Sequence, residues 1–321
     1  MLNRRCFIAA MVLAPLVRPA VAADWPQRPV RIVYPYGPGG SGDAMARVLA
    51  ARLSDVFGRP FVIENKPGAN GTLAAETVAR SPADGYTLLF ALTPQIAIAP
   101  AMMKVQYDPM RDFAPIGTIS TSKFALVVNP RLPVQTMAEF LDYVRAQPKG
   151  FAYAEGGVGS ISHLSMVLLL DRAGLAGANV SYKSSELALL DVLAGQLPAA
   201  FVLLGDALSH AGSGGVRLIA VSDTQRSDQA PNVPTVAESG FPGYRTVSWW
   251  GLMAPSGTPQ STVDRLGSEV SRVAQDRKVI EQMRTFGVDP LSSTPAEFAA
   301  MVTSDIALWD RAVKLARLEP Q

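Results

Sequence analysis

The sequence predicts an α/β protein of two lobes, each a mainly parallel sheet flanked by helices. Three observations carry this expectation. Strand-like apolar runs alternate with amphipathic helical periods along the chain, the pattern of parallel sheets covered on both faces. Two strand-to-helix connections are glycine-rich and occupy equivalent places in their units. Finally, 321 residues, 48% apolar and 17% charged, are too many for one ordinary domain and enough for two cores.

The N-terminus stands apart from this alternation. Arg4 and Arg5, a short apolar run over residues 7–16, and Ala20-Val21-Ala22 form the three parts of a secretory signal peptide, expected at residues 1–22. The apolar run is far shorter than the ~20 residues that span a bilayer, which argues against an anchor. Asn3-Arg4-Arg5-Cys6-Phe7-Ile8 also fits a twin-arginine signal, so the Sec and twin-arginine routes both stay open. Either route predicts a periplasmic protein. Cys6, the single cysteine, leaves with the peptide.

After it, Val30-Arg31-Ile32-Val33-Tyr34 reads as a strand that runs through glycines into a helix with Met45, Val48, Leu49, Leu53, Val56 and Phe57 at apolar positions. Residues 61–64 give a second strand, 72–80 a helix and 86–90 a third strand. The alternation resumes with a strand at 124–128, a helix at 137–146, a strand at 151–153 and a helix at 162–172. Two C-terminal helices, 259–275 and 295–318, are expected to pack on the first lobe. The chain is expected to cross between lobes near residues 120–123 and again in the polar, proline-containing stretch 222–234. Lobe one is then residues 24–122 plus 229–321, and lobe two residues 123–228.

Composition excludes several functions. A formal net charge of +2 with dispersed Lys and Arg gives no nucleic-acid footprint. One cysteine and two histidines leave no disulfide framework and little for a metal site. No Walker loop, Gly-x-Gly-x-x-Gly fingerprint or Gly-x-Ser-x-Gly elbow is present. No cofactor and no catalysis are expected.

The two glycine loops remain. They are Tyr36-Gly37-Pro38-Gly39-Gly40-Ser41-Gly42-Asp43 and Glu155-Gly156-Gly157-Val158-Gly159-Ser160-Ile161-Ser162-His163. At the carboxyl ends of parallel strands, glycines let the backbone approach a ligand and helix N-termini offer N–H groups to an anion. Each loop alone reads first as a tight βα turn. The pair leaves the turn and the anion clamp both open.

Several motifs carry a resemblance. Residues 35–47, Glu64-Asn65-Lys66-Pro67-Gly68-Ala69-Asn70-Gly71, Pro82-Ala83-Asp84-Gly85-Tyr86-Thr87-Leu88-Leu89, the stretch 232–240 and Ala254-Pro255-Ser256-Gly257-Thr258-Pro259 resemble, in order and spacing, the Bug family, receptors of tripartite tricarboxylate transporters. The resemblance spans essentially the whole mature chain. It implies a Venus-flytrap, type II-like periplasmic binding protein, a monomer that holds a small organic anion, mono- or dicarboxylate and aromatic acids included, and delivers it to membrane permease subunits. A sensor that feeds a kinase is the alternative, and an enzyme the last.

By resemblance the ligand is gripped by Tyr36, Gly37, Pro38, Gly39, Gly40 and Ser41 and by Gly157, Val158, Gly159, Ser160, Ile161 and Ser162. Thr93, Gln95, Tyr182, Lys183, Ser184 and Val202 are expected as further walls. Asp43, in the first helical turn, is expected to brace its loop rather than meet the ligand, and His163 to brace the second. Trp249 and Trp250 read as core or hinge packing. The chain departs from its relatives at Ser184, Ser181, Ile161, Leu187 and Glu155, and it has Pro198 and Val202 where acids are usual. Without those acids, the pocket is expected to prefer ligands that lack an amino group.

Overall fold

The computed structural model describes residues 25–147 and 149–318. The expected signal peptide lies outside them. In chain order the elements are β1 (Val30–Tyr34), α1 (Ser41–Phe57), β2 (Phe61–Asn65), α2 (Thr72–Ala79), β3 (Thr87–Leu92), α3 (Ala99–Met102), β4 (Phe113–Ser122), β5 (Phe124–Val128), α4 (Met137–Arg145), β6 (Phe151–Glu155) and α5 (Ile161–Arg172). There follow β7 (Gly177–Ser181), α6 (Ser185–Ala194), β8 (Ala199–Leu203), α7 (Leu204–Ala211), β9 (Arg217–Val221), β10 (Ser248–Pro255), α8 (Gln260–Gln275), α9 (Arg277–Thr285), β11 (Asp289–Pro290) and α10 (Pro295–Leu315).

Local chemistry sets the helix limits. In α1, Met45, Leu49 and Leu53 recur at helical spacing and are fully buried, and Gly58 ends the helix in the left-handed region, its N–H donating to Ser54 C=O. Thr136 with Glu139, and Thr294 with Glu297, close capping boxes at the starts of α4 and α10.

The strands form two sheets, ordered β11-β4-β10-β3-β1-β2 and β7-β6-β8-β5-β9. Each is covered on both faces. Ile32 and Leu49 lie in one apolar cluster of the first sheet and Val33 and Leu89 in another. Leu126 and Phe201 lie on one side of the second sheet, Ala125, Val127 and Val202 on the other. The sheets are mixed rather than purely parallel. In the first, β10 runs against β3 and β4; in the second, β5 runs against β8 and β9. The reason is topological. A strand inside a βαβ unit ends at the cleft, whereas β5 and β10 arrive from the other lobe, start at the cleft and run away from it.

The chain leaves the first sheet at Lys123, between β4 and β5, and returns between β9 and β10. Lys123 is buried at this crossing. Its Nζ lies 3.1 Å from an Asp289 oxygen and 3.6 Å from one of Asp223 and donates to Arg226 C=O. Arg245, just before β10, pairs with Asp223 and Asp305. A buried ion network of this kind fixes geometry more than it adds stability.

Two placements differ from the expectation. Val236 and Tyr244 pack in the cluster of the second sheet, beyond residue 229. Helix α10 serves both lobes: Phe298 and Val302 pack with Trp249, while Trp309, Ala312 and Val313 join the second-sheet cluster. Amphipathic spacing marks a buried face without saying which lobe buries it.

Candidate ligand-binding site

A cavity of about 830 Å³ lies between the sheets, walled where strands end and helices begin. The first turns of α1, α5, α6 and α7 all reach it, through Gly40 and Ser41, Ile161 and Ser162, Ser185 and Glu186, and Gly205 and Asp206. Each helix start carries N–H groups without an intrahelical acceptor and the positive end of a helix dipole, so the convergence favours an anion. No Lys, Arg or His is among the described residues lining the cavity. Ser122, Phe124, Ser248 and Trp250 contribute strand ends from the crossings, and residues 285–288, from the last residue of α9 up to β11, close one side.

The first loop is shaped from behind. Gly39 has φ of 103°, open to glycine and strained for other residues, and Gly40 caps α1 without a side-chain hydrogen bond. Asp43 is buried and accepts from Gly39 N–H at 3.2 Å, from Asn65 Nδ2 at 2.8 Å, and from Arg47 Nε at 2.9 Å. Burial alone would raise its pKa, but the hydrogen bonds from Arg47, Asn65 and Gly39 hold the carboxyl below the usual range. It is not among the cavity-lining residues.

The second loop is bonded to itself. Gly156 N–H donates to Ser162 Oγ at 2.9 Å, Gly157 N–H to the Glu155 carboxylate, Gly159 N–H to His163 Nδ1 at 3.1 Å, and Ser160 N–H to Gly157 C=O at 2.9 Å. His163 is buried and neutral: burial, opposed by Glu155, pushes its pKa below the ordinary value. The glycines therefore shape this loop rather than grip with their own N–H groups. The backbone donors left over are Val158 N–H and those of the first turn of α5, at Ile161 and Ser162.

Of the expected site residues, Gly39, Gly40, Ser41 and the run from Gly157 through Ser162 line the cavity. Tyr36, Gly37 and Pro38 lie outside the lining, Tyr36 half-buried beside Tyr34 with ring centroids 6.0 Å apart. Thr93 and Gln95 are fully buried: Thr93 Oγ1 accepts from Trp249 N–H, and Gln95 Nε2 donates to Phe90 C=O. Tyr182 donates to Asp191, Lys183 is exposed, and Ser184 caps α6 by accepting from Leu187 N–H. Val202 is corrected outright. It is fully buried within the apolar cluster behind β8 and has no wall to offer.

Other lining residues were not anticipated. Trp249 is core, its Nε1 donating to Asp305, but Trp250 lines the cavity. Glu186 and Asp206 were missed too, although each stands in a helix first turn after a strand, the place Ser41 and Asp43 hold in the first unit.

Similarity to known proteins agrees with this geometry. A model of the tripartite tricarboxylate transporter family receptors, TctC, matches residues 45–318. Protein BugT of Bordetella pertussis is 33% identical, over 94% of this chain and 93% of its own. The structure of R. palustris Rpa4515 with adipate is 34% identical, covers 93% of this chain and 100% of its own, and superposes with a TM-score of 0.75. MatC from Rhodopseudomonas palustris, with bound malate, is 31% identical, covers 90% of this chain and 100% of its own, and has a TM-score of 0.71. The periplasmic binding protein BugD is also 31% identical, over 92% of this chain and 100% of its own, with the same TM-score of 0.71. The chain belongs to the TctC family, the Bug-type periplasmic receptors of tripartite tricarboxylate transporters, which bind solutes and are not enzymes.

Proposed function

We propose that this chain captures a small organic carboxylate between its two lobes and hands it to the permease of a tripartite tricarboxylate-type transporter. The carrying observation is the convergence of four helix starts on one cavity whose lining has no basic side chain. Such a site holds a carboxylate by N–H groups and dipoles, and lets it go without breaking a strong ion pair. The main contacts are the first turns of α1 and α5, with Gly39, Gly157 and Gly159 setting the loop shapes. Relatives solved with adipate and malate support the ligand class. The sensing alternative draws no support from the relatives compared.

In this reading the lobe of the first sheet, with residues 24–122, and the lobe of the second sheet, with residues 123–228 and the segment of Val236 and Tyr244, close on the ligand as a monomer. Residues 1–22 direct export, so the mature chain begins near Ala23. A thermal-shift screen of organic acids tests the binding claim. A ligand at a hundred times its Kd adds about 2.7 kcal/mol to the folded state and raises the unfolding midpoint. A full panel of mono-, di- and tricarboxylates without any shift would refute it.

A further inference from the structure

We propose that Asp206 sets the specificity of this cleft, and that the ligand is an amino-carboxylate whose carboxylate lies on the helix starts and whose ammonium faces Asp206. The inference rests on the carboxylate reading above and names the ligand's other end.

It follows from a charge inventory. The charged side chains lining the cavity are Glu186 and Asp206, both acids, with no Lys, Arg or His among the described residues. Acids in a helix first turn ordinarily answer the helix dipole or accept from its N–H groups. Asp206 does not cap. Helix α7 starts without a side-chain cap, and Asp206 Oδ2 is closed to solvent and accepts no hydrogen bond. Its charge is therefore poorly compensated. Burial, then the charge of Glu186, push its carboxyl above the usual range, with His210 opposing.

Closing the lobes makes this worse unless the ligand helps, because burying an unpaired charge costs several kcal/mol. A second ligand carboxylate would bring a third negative charge to the same wall. A neutral tail would leave Asp206 unpaired. An ammonium offsets both acids at once, and the aromatic residues Trp250 and Phe124, which can tolerate a cation, line the same cavity. A metal ion in that place is disfavoured: no group of three or more His, Cys, Asp or Glu among the described residues is arranged to hold one. The sequence expectation pointed the other way because Pro198 and Val202 replaced the usual acids. The acid comes from α7 instead, one helical turn into the next element.

Calorimetry with matched pairs is the test. Aspartate and succinate, glutamate and glutarate, and 5-aminovalerate and valerate are titrated into the wild type, Asp206→Asn and Glu186→Gln. At least one amino acid should bind about tenfold or more tightly than its partner without the amine, and Asp206→Asn should remove that preference. Glu186→Gln, on an exposed side chain, should weaken the same amino acid a few-fold and serves if Asp206→Asn folds poorly. Carboxylates that bind with no preference for the amine, unaltered by either substitution, would overturn this inference and leave the carboxylate site standing. Binding of no member of either series would remove both.

Discussion

Asp43→Ala is the substitution whose cost can be worked most completely from the structure. The carboxylate is buried and accepts from Gly39 N–H, Asn65 Nδ2 and Arg47, so it ties the first glycine loop to α1 and β2. Removing it frees Gly39 N–H, on an exposed residue, and leaves Asn65 Nδ2 with Tyr36 C=O as its one acceptor, while Arg47, half exposed, returns to water at little cost. A stranded donor costs roughly 1–3 kcal/mol when fully buried. Gly39 is exposed and Asn65 is half-buried and keeps one acceptor, so about 1–2 kcal/mol in total is expected. Equilibrium denaturation should show that loss, and calorimetry a ligand affinity lower by tenfold or more, because the loop loses the bond that orders Gly39. Asp43→Asn should fall between, since its amide accepts on one side and opposes a donor on the other. The lock should also be pH-sensitive with a definite sign. A carboxyl held below its ordinary 3.8 stabilises the fold above that value, and the contribution disappears as pH falls through the folded pKa. Unchanged stability and affinity in Asp43→Ala would refute the bracing role.

Three further outcomes follow. Gly159→Leu should abolish binding, since its φ of 77° disfavours a side chain by about 1–2 kcal/mol and a Cβ there runs into Met102 of α3; Lys183→Ala, on the exposed side chain, should change affinity less than twofold by the same calorimetry. His163 has a depressed pKa and accepts from Gly159 N–H only while neutral. Stability should therefore fall as pH drops below about 6.5, and a pH series of denaturation midpoints on wild type and His163→Gln should show that slope only in the wild type. Intact-mass analysis of periplasmic extract should find a chain starting near Ala23, and a retained N-terminus in the membrane fraction would contradict export by cleavage.

Much of this architecture was legible because alternation and glycine placement are local properties. The short apolar runs that became β1 and β5 and the helical spacing of Met45, Leu49 and Leu53 in α1 stood in plain view, and both glycine loops sit where strand gives way to helix. The long strand β4 and the fully buried β10 are harder to read, since proline, glycine and serine or threonine interrupt their apolar runs. Strand direction was hidden too, for it depends on where the chain crosses between sheets. Val202 shows why an aligned position is not a wall: in β8, Phe201 and Val202 face opposite clusters, and the cavity is reached only at the strand end, Leu203. Asp206 was readable in principle as the acid opening the helix after β8. No glycine run marks it, because α6 and α7 reach the cavity through a serine–glutamate pair and a lone glycine–aspartate step.

The central claim is that N–H groups of converging helix starts, and no basic side chain, hold the ligand's carboxylate. Amide NMR during titration with a bound carboxylate tests it most directly. The account predicts the largest amide-proton shifts at Ser41, Gly42, Ile161 and Ser162, downfield as those N–H groups gain a charged acceptor. Largest shifts around Lys183, with those four amides unmoved, would contradict it.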